Sequence, residues 1–394
     1  MHDHDPRRAA DALRHLAAAG VTFHGGLVAM PHLAGWGDLE ATCRCLDDSG
    51  AATIRIFLPG FTRLAAPWLR FDPEATYRRL SLFVREQQER LQAPLILEPF
   101  LAGGGERLQA EIAGVVPGSP LARAGLQRGE VVGSVRGLQV YSRVDAFSKI
   151  RKFRNPVLEL VKPGSGCDMI VSAPHLPHPE DGRPAASAGR PSGGWAGRPA
   201  PYRARGAPIR WMGRASGTPA RIGAPGAWRP AEPRDGSSAR RVPTANMRPG
   251  QDTRVLTISR GSAAGLVMRC DLDWRLVYRA ARLIRHHEPV RVLVLTSVWG
   301  FPWLRLALPE WERVCGDLRL EAVPNRFFGG SIAAAGLLTT IDFGAVLRKI
   351  IRETGRDFDL VLLPAIAFDS RGRDLLGRSY TRLGALTRAA IRIV

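Results

Sequence analysis

"VRVLVLTS" at residues 290–297 decides how the chain is read. Its apolar run is continuous rather than alternating, and it is too short for a helix. Such a run is buried on both faces, as in a parallel strand covered by helices. The flanks agree. "DLDWRLVYRAARLIRHH" (271–287) is amphipathic at helical spacing, and "PWLRLALPEWERVCG" (302–316) is helical with a break or kink at Pro309. "LRLEAVP" (318–324), "FDLVLLP" (358–364) and "IRIV" (391–394) read as further strands, and "IDFGAVLRKIIRETG" (341–355) as a helix closed by Gly355. Together with strand-like "RVLTIS" (254–259) and "GLVMRC" (265–270), these predict a doubly wound α/β domain over residues 251–394.

Residues 1–102 alternate in the same way. "VTFHGGLVAM" (21–30), "ATIRIFLPG" (52–60) and "APLILEPF" (93–100) are strands, the first interrupted by Gly25-Gly26. "GDLEATCRCLDD" (37–48) puts Leu39, Cys43 and Leu46 on one helical face. "DPEATYRRLSLFVREQQERLQ" (72–92) opens with Asp72 at the N-cap and Pro73 behind it, and Tyr77, Leu80, Phe83, Val84 and Leu91 keep a helical period. Three strands with intervening helices are a fragment of a parallel sheet.

Residues 103–173 change character to short strands, glycine turns and one helix (144–153). "VVPGSPLARAGLQRGEVV" (115–132) resembles a bacterial PDZ domain, with Glu130 where Asp is usual. Turns are expected at Pro117-Gly118 and Gly129, and Leu121, Ala124 and Leu126 pack a short helix on a small barrel. The resemblance implies a partner peptide whose C-terminus adds as a strand, its carboxylate held by loop amides. The loop is expected near "AGGGERLQAEI" (102–112), which makes Gly104, Gly105 and Ile112 the candidate peptide-binding residues.

Residues 174–250 are rich in Arg, Pro, Gly and Ala without a hydrophobic period, and are expected to be a disordered linker. The formal net charge of the 394 residues is +20, but residues 178–250 hold 13 Arg against 4 acidic residues. The excess is concentrated there, which weakens the case for a nucleic-acid partner, and an Arg-rich nucleic-acid-binding protein acting through this stretch is kept as an alternative expectation. No apolar run reaches the ~18 residues of a membrane span, and residues 1–20 lack a long apolar signal core. Cys43, Cys45, Cys167, Cys270 and Cys315 show no paired zinc spacing, so no metal site is assigned and a reducing, cytoplasmic setting is expected.

A wider resemblance runs through both ends. "VLTS" (294–297), "VPNRFFGGSIAAAGLLTTID" (323–342) and "DLVLLP" (359–364) match the C-terminal domain of unknown function 512. That domain occurs in iron–sulfur oxidoreductases related to the radical S-adenosylmethionine enzymes, which also carry a PDZ module. "FHGGLVAMPHLAGWGDLEATCRCL" (23–46) and "IFLPGFTRL" (56–64) are similar to the end of their radical-enzyme barrel, so residues 1–102 would be a partial parallel α/β barrel fragment, its C-terminal part. The family implies a 4Fe–4S cluster and S-adenosylmethionine, held through C-x-x-x-C-x-x-C. This motif is absent here, and Cys43 and Cys45 cannot replace it. The expectation is a cluster-less or partner-dependent binding or scaffold subunit, inactive alone. With a partner chain that supplies the cluster it would be an oxidoreductase or methyltransferase, and some relatives add a corrinoid, for which no ligating residue is named.

Within the match, "NRFFGGSI" (325–332) reads as a turn at a strand's carboxyl end, where open α/β sheets bind ligands. Gly329 and Gly330 would let backbone amides approach an anion. Asn325 offers hydrogen bonds, Arg326 a charge, and Phe327 and Phe328 stacking surfaces. Asp342 is either a ligand group or a helix N-cap. The competing reading makes the two phenylalanines core and the glycines a means of close packing. No catalytic residue is assigned.

Overall fold

The computed structural model describes residues 6–101, 108–153, 155–161, 253–257 and 265–394. Helices, parallel sheets and antiparallel sheets are all present, so the chain is mixed α/β. The expected linker over 174–250 lies outside the described residues.

The first sheet contains β1 (Gly25–Val28), β2 (Ile54–Phe57) and β3 (Leu95–Glu98), parallel and in that order. Ile54, Ile56, Leu95 and Leu97 point to one face. There they meet Leu39, Cys43 and Leu46 of helix Trp36–Asp48, and Leu80, Phe83 and Val84 of helix Pro73–Gln88. Asp72 caps the second helix as its sequence implies, accepting from Glu74 N at 2.9 Å and Ala75 N at 3.0 Å. The other face carries Gly26, Val28 and Arg55, all exposed, with half-buried Phe57, Ile96 and Glu98.

A small β unit follows, with β4 (Gly114–Val115), β5 (Val131–Val135), β6 (Leu138–Gln139) and β7 (Val157–Val161). Two later strands complete it: β8 (Thr253–Thr257) pairs with β7, and β9 (Leu266–Val267) pairs with β4. Sequence reading assigns both to the last α/β region, and the strand pairing moves them here. The reason is burial. Leu256 and Leu266 enter the core formed by Ile112, Leu121, Val132, Ile150 and Leu158, and Arg254 pairs with the buried Glu130 at 2.9 Å. Val161 and Thr253 are register partners, so the chain between them departs from and returns to one antiparallel ladder.

The last sheet is parallel, in the order β11 (Asp317–Val323), β10 (Arg291–Ser297), β12 (Leu360–Leu363), β13 (Ala390–Ile393). Residues 290–297 behave as their composition demands. Val292 and Val294 face one core, with Val277, Ala281 and Ile284 of helix Trp274–His287. Leu293 and Leu295 face the other, with Phe343, Leu347 and Ile350 of helix Thr340–Thr354. The segment broken at Pro309 forms two short helices, Phe301–Arg305 and Leu308–Glu312. Because β11 and β12 flank β10 on opposite sides, the connections diverge at the carboxyl end of β10.

Asp357 ties the start of β12 to the turn before β13, and Asp374 ties the loop at 374–378 to the start of helix Thr340–Thr354. Burial raises both carboxyls, but hydrogen bonds outweigh it: Thr387, Arg388 N and Phe358 N donate to Asp357, and Thr340 N, Arg378 N and Leu376 N to Asp374. Both acids are therefore held below the ordinary carboxylate range. A depressed folded-state pKa contributes stability above the unfolded value of about 3.9 and loses it as pH falls through the folded value. Urea midpoints are expected to drop below about pH 4, and to drop less steeply in Asp374→Asn. An unchanged pH slope in that variant would remove Asp374 from the account.

Candidate functional site

The turn expected to bind a ligand is engaged with the chain itself. Asn325 is buried, its Oδ1 accepting from Phe328 N at 2.9 Å and its Nδ2 donating to Leu337 O at 2.7 Å. Asp342 is 1 % exposed and accepts from Arg326 N, Phe327 N, Thr339 N and Thr339 Oγ1 at 2.8–3.1 Å. With Thr339 it also forms the capping box of helix Thr340–Thr354. The N-cap itself is Thr339, so Asp342 serves the helix start from the third helical position rather than as the expected N-cap. Phe327 and Phe328 are half-buried and meet edge to face at 4.9 Å.

The two glycines do permit a close approach, but to protein. Both have φ of +63°, and a Cβ on Gly330 would lie 2.1 Å from Phe61 O. Arg63 N donates to Phe328 O at 2.8 Å, Ser331 N to Phe61 O at 2.9 Å, and Phe61 N to Ser331 Oγ at 2.9 Å. The turn thus clasps the loop after β2 against the end of β11. Glycine's lack of a side chain is used for this contact rather than for an anion cradle.

Ile112 is likewise internal. It is fully buried, its N donates to Glu130 O and its O accepts from Gly129 N, both at 2.9 Å. Its main chain has no group left for an added strand. Gly104 and Gly105 lie outside the described residues.

A cleft of about 460 Å³ opens instead at the carboxyl ends of β3 and β10. Its floor is the exposed face of the first sheet at Arg55, Ile96 and Glu98, and its walls come from Phe100, Arg269, Cys270, Ser297, Trp299 and Trp303. Ala334 and Ala335 of the 323–342 stretch also line it, so that segment reaches the cleft through its small residues. Arg55 grips Glu98 through three contacts of 2.6–2.9 Å. Asp271 accepts from Arg143 N at 2.9 Å and Val144 N at 3.0 Å, at the start of helix Arg143–Lys152. Burial raises the Asp271 carboxyl, against the lowering effect of Arg143 and these amides.

Phe100 is the hub. Trp303 lies 5.2 Å from it, ring to ring, and donates Nε1–H to its carbonyl at 3.3 Å. The guanidinium carbons of Arg143 and Arg269 stand over its ring at 5.0 and 5.1 Å. A second cleft, of about 520 Å³, begins on the far side of Phe100 and Arg269, between helix Pro73–Gln88 and the small β unit. Sequence reading missed the residues of the first cleft because they come from five separate segments. The one local signal was a pair of tryptophans, Trp299 and Trp303, directly after the buried strand.

Four of the five cysteines, Cys43, Cys45, Cys270 and Cys315, are free thiols among the described residues, and Cys167 lies outside them. Cys43 is buried and Cys45 exposed on one helix. Burial, with Glu40 adding to it, pushes the Cys43 thiol up to about 12. Burial also raises Cys270 and Cys315. Among the described residues no three His, Cys, Asp or Glu side chains are grouped to hold a metal ion, and no helix is long and apolar enough to cross a membrane. No model of a known family, no curated protein and no solved structure matches the chain.

Proposed function

We propose that the chain is a binding or scaffold subunit of the radical S-adenosylmethionine/PDZ family, without a cluster of its own. The observation that carries this reading is the first sheet. Among the described residues its three parallel strands are covered by helices on one face only, and β1 has a strand neighbour on one side only. Parallel sheets are ordinarily covered on both faces, so a half-barrel fragment whose inner face looks outward accounts for the exposed Gly26, Val28 and Arg55. In the same reading the small β unit is a PDZ-like domain. The last region, with β10 at its topological switch, is the doubly wound domain resembling domain of unknown function 512. The thiol set described above does not fit a 4Fe–4S cluster, and no reaction step is derived through one.

Anaerobic incubation of the full chain with ferrous iron and sulfide tests this. The expected result is protein without a visible cluster absorption band. A band that vanishes when three cysteines are replaced together would overturn the proposal. A second reading, in which this chain is half of a split radical enzyme, is favoured by the same open face. It expects a chain carrying C-x-x-x-C-x-x-C to comigrate with this one in gel filtration after co-expression, and separate elution would dismiss it.

A further inference from the structure

We infer that the cleft at the carboxyl ends of β3 and β10 binds an oxyanion carried on a planar ring, with Arg269 as its charge partner. The inference rests on the cleft alone and does not depend on the family reading. Every other charge lining the cleft has a counter-charge. Arg55 and Glu98 hold each other in a bidentate pair, and Asp271 is held by Arg143 and two backbone amides. Arg269 makes no ion pair or hydrogen bond among the described residues. Its guanidinium instead stands over the Phe100 ring at 5.1 Å.

A half-buried guanidinium beside apolar walls loses hydration without gaining a carboxylate, and ring stacking offsets only part of that loss. Its planar fork is the side chain best suited to grip a carboxylate or phosphate through two parallel hydrogen bonds. The remaining walls are aromatic. Phe100, Trp299 and Trp303 surround about 460 Å³, a volume suited to a small molecule. The place is also where ligands gather in open α/β sheets, outside the strand ends at the topological switch. Charge, aromatic walls and position all describe one ligand chemistry: a flat ring bearing a carboxylate or a phosphate.

Calorimetric titration of the full chain with adenosine monophosphate and with benzoate tests the inference, with adenosine and benzamide as neutral counterparts. At least one anion is expected to bind, and its neutral counterpart to bind about tenfold more weakly or less. Binding of the nucleotide alone assigns a phosphate-bearing ligand, binding of benzoate alone a carboxylate, and both together mean that charge and ring suffice. Arg269→Gln is expected to weaken the bound anion by about tenfold or more. Arg269→Lys, which keeps the charge but not the fork, should fall between the two and serves if the glutamine variant does not fold. Arg85→Gln, in the neighbouring cleft, leaves the affinity unchanged. Failure of both anions to bind at millimolar concentration overturns the assignment, as does equal binding of the neutral analogues or an Arg269→Gln variant with wild-type affinity.

Discussion

Replacing Gly330 by alanine is expected to release the loop after β2 from the C-terminal sheet. The new Cβ would lie 2.1 Å from Phe61 O and 2.8 Å from Thr62 C, and both atoms are backbone that no rotamer can move aside. The residue would also be held at φ of +63°, which costs an L-residue about 1–2 kcal/mol by itself. The hydrogen bonds on either side, Arg63 N to Phe328 O and Ser331 N to Phe61 O, would have to lengthen to admit the methyl group. A total loss of roughly 3 kcal/mol or more follows, read as a fall in thermal midpoint of roughly 6–12 °C. Gly329→Ala is the informative control. It has the same φ, but its Cβ meets the Arg63 side chain at 3.0 Å, and that side chain can shift. Its loss should be about half as large. If the two variants proved equally stable, or Gly330→Ala matched the parent, the clasp would not matter to the fold.

Asp342→Ala should be the most damaging single polar substitution in this region, at about 4 kcal/mol. Four donors converge on a carboxylate that is 1 % exposed. Alanine would leave the N–H groups of Arg326, Phe327 and Thr339 without this acceptor inside the protein, where an unmade hydrogen bond costs more than a made one contributes. It would also remove half of the capping box that starts helix Thr340–Thr354. Asp342→Asn keeps the volume and one carbonyl acceptor, so roughly half of the loss should remain. Asn325→Ala, which breaks two hydrogen bonds of the same turn, should lie near the asparagine variant. Urea unfolding orders the three. A ranking with Asn325→Ala the worst would mean that Asp342 is not the centre of the turn.

Most of the elements were legible without coordinates, for local reasons. A continuous apolar run at 290–297 had to be buried on both faces, and Val292 and Leu293 do enter opposite cores. Asp72 and Pro73 announced a helix start, and Gly355 a helix end in the left-handed conformation, because capping is settled within a few residues of the chain. These patterns depend on periodicity and on backbone groups near in sequence, so the sequence by itself determined helices, strands and the mixed α/β class.

What the tertiary structure decided is pairing and direction. Strands β8 and β9 look alike whichever sheet they join. Their place beside β7 and β4 is set by Leu256 and Leu266 finding a core built from residues far earlier in the chain. Asn325, Gly330 and Asp342 have the chemistry of a ligand turn and of a structural clasp alike. The loop at 61–63, remote in sequence, gave the glycines their partner, and backbone amides took the two polar side chains. The cleft required more still. Glu98, Arg269, Ser297 and Trp303 are brought together only when two parallel sheets end side by side, and no local periodicity encodes that meeting.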